Sequence, residues 1–152
     1  MTKSIRIVGV GSVFGADQIA MLVIEQIKAK MQNHSCRENM DIEYYDRPGF
    51  HLLELIKGAA TVHLIDAIVS DKAEGFIHRY TDINVFKSLN KGFSSHGYGV
   101  AEVLQLAQAM AYLPTNLVIH GVEINKEKGL TPVLITACQQ LADNVVAEVL
   151  SI

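Results

Sequence analysis

Three places far apart in the chain offer donor atoms that could converge on a metal ion. They are Asp17-Gln18 after a glycine-rich turn, Asp66 late in an apolar run, and His96 ahead of a helical pattern. Oxygen donors joined by one imidazole suit a borderline divalent cation such as nickel or zinc. Each position also has a plainer reading, and on residue types alone the plainer one ranks first. Asp66 could hold backbone N–H groups, and His96 could bond a backbone carbonyl where a helix begins.

The stretch Gly9-Val10-Gly11-Ser12-Val13-Phe14-Gly15 follows a strand pattern and opens a helix, as a dinucleotide fingerprint does, but its third glycine falls one position late. Asp46 could supply the acid such a site needs. A tight turn requiring positive φ explains the glycines more simply. His63 and His120 lie inside apolar strands and read as satisfied sheet histidines, while His34 and Cys36 lack further donors. No G-x-S-x-G nucleophile elbow is present, which disfavours a serine hydrolase.

The elements that must position these groups follow from periodicity and punctuation. Ile5 to Val10 reads as a strand buried on both faces, and Asp17 to about Lys30 as a helix with Asp17 in its first turn. After a polar loop from Gln32 to Asn39, Asp41 to Asp46 forms a second strand ended by Arg47-Pro48-Gly49, and Phe50 to Gly58 a short helix. Thr61 to Val69 is the clearest strand and carries Asp66. Gly75 to Thr81 follows so short a connection that it should return antiparallel. Val100 to Ala111 is helical, Asn116 to Ile124 a fifth strand, and Thr131-Pro132 starts a last helix. Strand–helix alternation with one reversed edge strand predicts a single three-layer α/β/α domain over residues 1–152, with a mostly parallel five-stranded sheet. Ligands bind such sheets beyond the carboxyl ends of the strands, where the loop Gly11 to Gln18, offering Asp17 or Gln18, and Asp66 should lie and His96 can join them.

Composition narrows the partners. With 13 Lys and Arg against 16 Asp and Glu, and no basic run, the chain lacks a phosphate-reading surface, so nucleic acid is not expected. No stretch approaches the ~20 apolar residues that span a bilayer. Lys3 and Arg6 ahead of the run Ile7 to Ala16 imitate a secretory signal, but glycines interrupt that run and export is not expected. Cys36 and Cys138 form no framework, and a reducing cytoplasm is the expected compartment.

Taken in order, these segments resemble one family, the hydrogenase maturation proteases, which clip a C-terminal peptide from the large subunit of nickel-iron hydrogenase after nickel insertion. The resemblance runs nearly end to end. It rests on Gly9-Val10-Gly11-Ser12 through Asp17-Gln18, Leu64-Ile65-Asp66-Ala67, Ser94-Ser95-His96, Gly121-Val122-Glu123 and Gly129-Leu130-Thr131-Pro132. It implies that Gln18, Asp66 and His96 contact the metal, that Asp66 and His96 serve catalysis, and that Ser12 and Asp17 support them. Nickel would arrive in the precursor, with no organic cofactor and no dedicated nucleophile, and the protease would act as a monomer. Gln18 stands where the family carries an acidic ligand, keeping a carbonyl oxygen but no negative charge. The turn after the second strand also departs, to Arg47-Pro48-Gly49. The alternatives are a non-catalytic relative that escorts a metalloprotein precursor and, further off, a Rossmann-like dinucleotide binder.

Overall fold

The computed structural model describes residues 4–12, 15–89 and 99–151. Five strands form one sheet: β1 (Ile5–Gly11), β2 (Met40–Asp46), β3 (Thr61–Ile68), β4 (Ile77–Tyr80) and β5 (Asn116–Glu123), in the order β2-β1-β3-β5-β4. All neighbours are parallel except β4, which runs antiparallel to β5 with His78 opposite Gly121. The expected fold class is therefore observed, with the reversed strand at the edge.

Because successive side chains point to opposite faces, each strand feeds two cores. Ile7, Ile42, Ile65 and Val122 face α1 (Ile19–Met31) and α5 (Pro132–Leu150). Val8, Val10, Leu64 and Ile119 face the other way, against α2 (His51–Ile56), α3 (Ile83–Leu89) and α4 (Val100–Ala109). Along α5 the buried positions Leu134, Ala137, Cys138, Leu141, Ala142, Val145 and Val149 trace one helical stripe. By length and composition α5 could cross a membrane, yet that stripe packs on the sheet and on α1 while Gln139, Gln140, Asp143 and Asn144 stay exposed. Thr131 caps it as expected, its Oγ accepting from Leu134 N–H at 3.2 Å with Pro132 in the first turn.

Several expectations need correction. Asp17 is not in the first turn of an α-helix, because Gly15–Gln18 forms a separate 3₁₀ turn and α1 starts at Ile19. Helix α2 stops at Ile56 rather than continuing to Gly58, because Lys57 turns to an extended conformation and Gly58 follows at φ +84°. The polar loop after α1 contains a 3₁₀ turn, Ser35–Asn39. Helix α3 has no counterpart in the expectations: its seven residues are too few to show a period, and fully buried Phe86 pins it to the sheet.

Chain order determines where a ligand would sit. From β1 the chain crosses by α1 on one face to β2, then by α2 on the opposite face to β3, on β1's other side. The loops leaving β1 and β3 therefore diverge and open a crevice at their carboxyl ends.

Candidate active site at the carboxyl edge of the sheet

Helix α1 lies directly on β1 because two glycines allow it. A Cβ on Gly9 would stand 2.6 Å from Ile24 Cγ1, and one on Gly11 would stand 2.7 Å from the Asp17 carbonyl oxygen. Gly15 adopts φ +56°, the left-handed turn that starts the 3₁₀ segment. The expected positive-φ turn thus accounts for Gly15 alone, while Gly9 and Gly11 lie in β1 and are required by helix packing instead. The close approach of Gly11 to the Asp17 backbone sets the height of the Asp17-Gln18 turn above the sheet.

That turn rests against β3. Both Asp17 and Gln18 are half-buried, and the Gln18 side chain makes no capping hydrogen bond to α1. Asp66 is the one partly exposed residue in an otherwise buried β3. Its Oδ1 accepts from the Ala67 N–H at 2.8 Å, so the plainer role foreseen for it is real but engages that oxygen with one donor. Burial pushes the Asp66 carboxyl up to about 8; the Ala67 N–H opposes the shift, and the negative charge of Asp17 adds to it. Burial also raises Asp17, with Lys126 acting in the opposite direction. Two carboxyl groups that sense each other, both starved of water, make this crevice receptive to a cation or a proton.

The sequence reading missed Tyr44. Its register partner in β1 is Gly9, and its ring edge comes within 3.8 Å of the space a Gly11 side chain would fill. The hydroxyl oxygen is buried with no hydrogen-bond partner among the described residues. Burial first, then Asp46, Asp17 and Asp66, raise its pKa to about 12, against the opposing pull of Arg47. A sequence signal existed in the alternation of Ile42 and Tyr44, which puts this hydroxyl on the face of the glycines. Arg47, at φ +42°, donates its N–H to the Gly11 carbonyl at 2.8 Å, fastening the exit of β2 to the exit of β1.

Ser12 is buried at the end of β1, close in sequence to this crevice. The structure therefore brings the Asp17-Gln18 turn and Asp66 to one edge. His96, with the Ser94-Ser95 segment, lies outside the described residues. Further along the same edge, Glu123 is buried and accepts from Ser70 N–H and Oγ, each at 2.6 Å, while His78 Nε2 lies 2.9 Å from it. His78 Nδ1 in turn meets the Tyr80 hydroxyl. This network ties the loop after β3 to the end of β5.

Comparison with known proteins supplies the family. A family model described as HycI, hydrogenase maturation protease, matches residues 21–152, a span that holds Asp66 and His96 and begins just after Gln18. No match is found among curated protein sequences. Among solved structures, the hydrogenase-maturating endopeptidase HybD from E. coli is 24% identical with a TM-score of 0.80, covering 97% of this chain and 92% of that one. A solution structure of an endopeptidase from Escherichia coli gives 25% identity and 0.79, over 94% of this chain and 90% of that one. The NiFe hydrogenase maturation protease HycI from Thermococcus kodakarensis KOD1 gives 19% identity and 0.68, over 99% and 94%. The structural likenesses establish the fold, and the family match runs from α1 to the end of α5: the chain belongs to the hydrogenase maturation protease family.

Proposed function

We propose that this chain is an endopeptidase that removes the C-terminal extension of a nickel-iron hydrogenase large-subunit precursor, recognising nickel already inserted there. The observation that carries the reading is the Asp66 carboxyl, desolvated beside Asp17 at the crevice between β1 and β3. Such a group gains strongly from an arriving cation. The precursor's nickel would displace the Asp66 proton to solvent and find a carboxylate there, with the Gln18 carbonyl oxygen and His96 as further contacts. Held so, the metal sets the precursor's tail along the glycine-lined end of β1 and polarises either the scissile carbonyl or the attacking water. Asp17 and Ser12 support that arrangement, and the reaction belongs in the cytoplasm, where the precursor is assembled.

A second reading is favoured by Gln18 itself, a neutral amide where an acid is expected: a relative that binds the precursor and escorts it without cleavage. Incubation of the purified chain with nickel-loaded precursor, read by the mass of the large subunit, separates the two. Cleavage that Asp66→Ala abolishes supports the protease. Binding without cleavage, with cleavage restored by Gln18→Glu, supports the escort.

A further inference from the structure

The opposite end of β3 holds a polar group that the processing reaction does not use. His63 and His120 project from β3 and β5 onto the face covered by α5, at 1% and 2% exposure, among Ile65, Val122 and Val145. His63 Nδ1 and His120 Nε2 are 2.9 Å apart and the ring centroids 5.2 Å, so the rings meet edge to edge with their nitrogens facing. His63 Nε2 is buried without a partner among the described residues. Two imidazoles at positions that hydrophobic residues would fill, one nitrogen left unsatisfied, is a costly arrangement for a purely structural pair. Glu148, on the last turns of α5, brings a carboxylate oxygen to the pair, and the three ligand atoms lie within 4.8 Å of one another.

We propose that His63 Nδ1, His120 Nε2 and the Glu148 carboxylate form a second divalent-metal site, distinct from the crevice at the carboxyl edge, that takes a borderline ion such as Zn²⁺. Two histidines and one carboxylate are a donor set such ions accept, with a remaining position open to water. With metal–nitrogen bonds of about 2.0–2.1 Å, tetrahedral geometry puts the two nitrogens about 3.3 Å apart, so the nitrogens must separate by about 0.4 Å and both rings must turn to aim their lone pairs at the ion. Burial lowers the pKa of both histidines, His120 to about 3, so both rings are uncharged at neutral pH. On binding, the imidazole that donates in this hydrogen bond shifts its proton to its own outer nitrogen, leaving each ring neutral.

Arg79 is the gate. Opposite His120 in the sheet, it clamps Glu148 with two hydrogen bonds of 3.0 and 2.8 Å and holds the carboxylate ionised. The metal must take Glu148 from it, so Arg79 competes with the ion instead of supporting it. Its guanidinium is half exposed, which gives the ion a route from solvent at the end of α5.

The test uses the full chain carrying Asp66→Asn, so that the carboxyl-edge site is silent, titrated with zinc chloride by calorimetry and with cobalt(II) by visible absorption. One equivalent of zinc and tetrahedral-type cobalt bands are expected, with at least tenfold weaker binding in Glu148→Gln and at least threefold tighter binding in Arg79→Gln. Arg79 is exposed and Glu148 partly so, and circular dichroism verifies that both variants fold. A merely structural clamp would lose stability in Arg79→Gln without gaining affinity. The proposal is overturned if the Asp66→Asn chain takes up no zinc, or if its affinity is the same in both variants. It does not depend on the processing reaction, and failure of either leaves the other standing.

Discussion

Replacing Asp66 by asparagine removes a group whose ionisation the fold opposes, and the effect can be worked from the structure. The folded-state pKa of about 8 lies well above the ordinary value of 3.8. Below the lower value both folded and unfolded chains hold the proton. Between the two, the folded chain keeps a proton that the unfolded chain has released, so stability falls as pH rises, and above the upper value the whole penalty stands. Roughly four pKa units at ~1.4 kcal/mol each set a ceiling of about 6 kcal/mol. Water reaching the partly exposed carboxylate relieves part of it, leaving about 2–3 kcal/mol. The amide introduced by Asp66→Asn keeps the shape of the side chain without its charge. Part of that penalty is already present at about pH 5, so urea unfolding of both chains in chelator-treated buffer, at about pH 5 and about pH 9, should show the variant gaining about 1–2 kcal/mol on the parent between the two conditions. Titrating groups remote from Asp66, including the depressed histidines, largely cancel in that difference. Curves whose separation stays constant from about pH 5 to about pH 9 would refute the desolvated-carboxyl argument.

Further outcomes follow from the same geometry. Gly11→Ala forces a Cβ against the Asp17 carbonyl oxygen at 2.7 Å, backbone that cannot swing aside, and should cost about 1–3 kcal/mol in thermal unfolding while lifting the Asp17-Gln18 turn and weakening metal binding at the edge. Gln18→Glu adds a negative charge to a half-buried position and should tighten nickel or cadmium binding about tenfold or more by calorimetry. Unchanged affinity would remove Gln18 from the metal contacts. Glu123→Ala strips the acceptor from Ser70 and His78 in a buried network and should cost about 3 kcal/mol or more by chemical denaturation. Thr131→Ala removes the cap of α5 and should cost about 1 kcal/mol in the same assay.

The elements that were legible are those whose pattern is long or sharply punctuated. β3 is a continuous apolar run and α5 a nineteen-residue stripe opened by Thr131-Pro132, so both were readable to within a residue or two. The reversed β4 followed from the short connection before it. What local pattern could not supply came from tertiary packing. Phe86 makes α3 a helix because the sheet offers it a socket, and the 3₁₀ turn exists because Gly11 lets the Asp17 backbone sit against β1. Asp66 stood out in sequence as an acid in an apolar strand, whereas Tyr44 did not, since its isolation appears only once Gly9 is known to lie opposite. The pairing of His63 with His120 required strand order β3-β5, which no spacing along the chain reveals.

The sheet has two open margins, and the one at β2 is seven residues long, enough to accept a strand from another chain. Its three carboxylates are each met by a cation: Asp41 by Arg6 at 3.8 Å, Glu43 by Lys28 at 3.1 Å and Asp46 by Arg47 at 3.4 Å. These surface pairs add little to the stability of the folded chain. Their consequence is colloidal: a visiting strand that hydrogen-bonded to β2 would have to strip water from a row of charges, so the exposed edge discourages sheet extension and the aggregation that follows from it. At the other margin β4 is four residues long, too short to template much pairing, and carries Arg79.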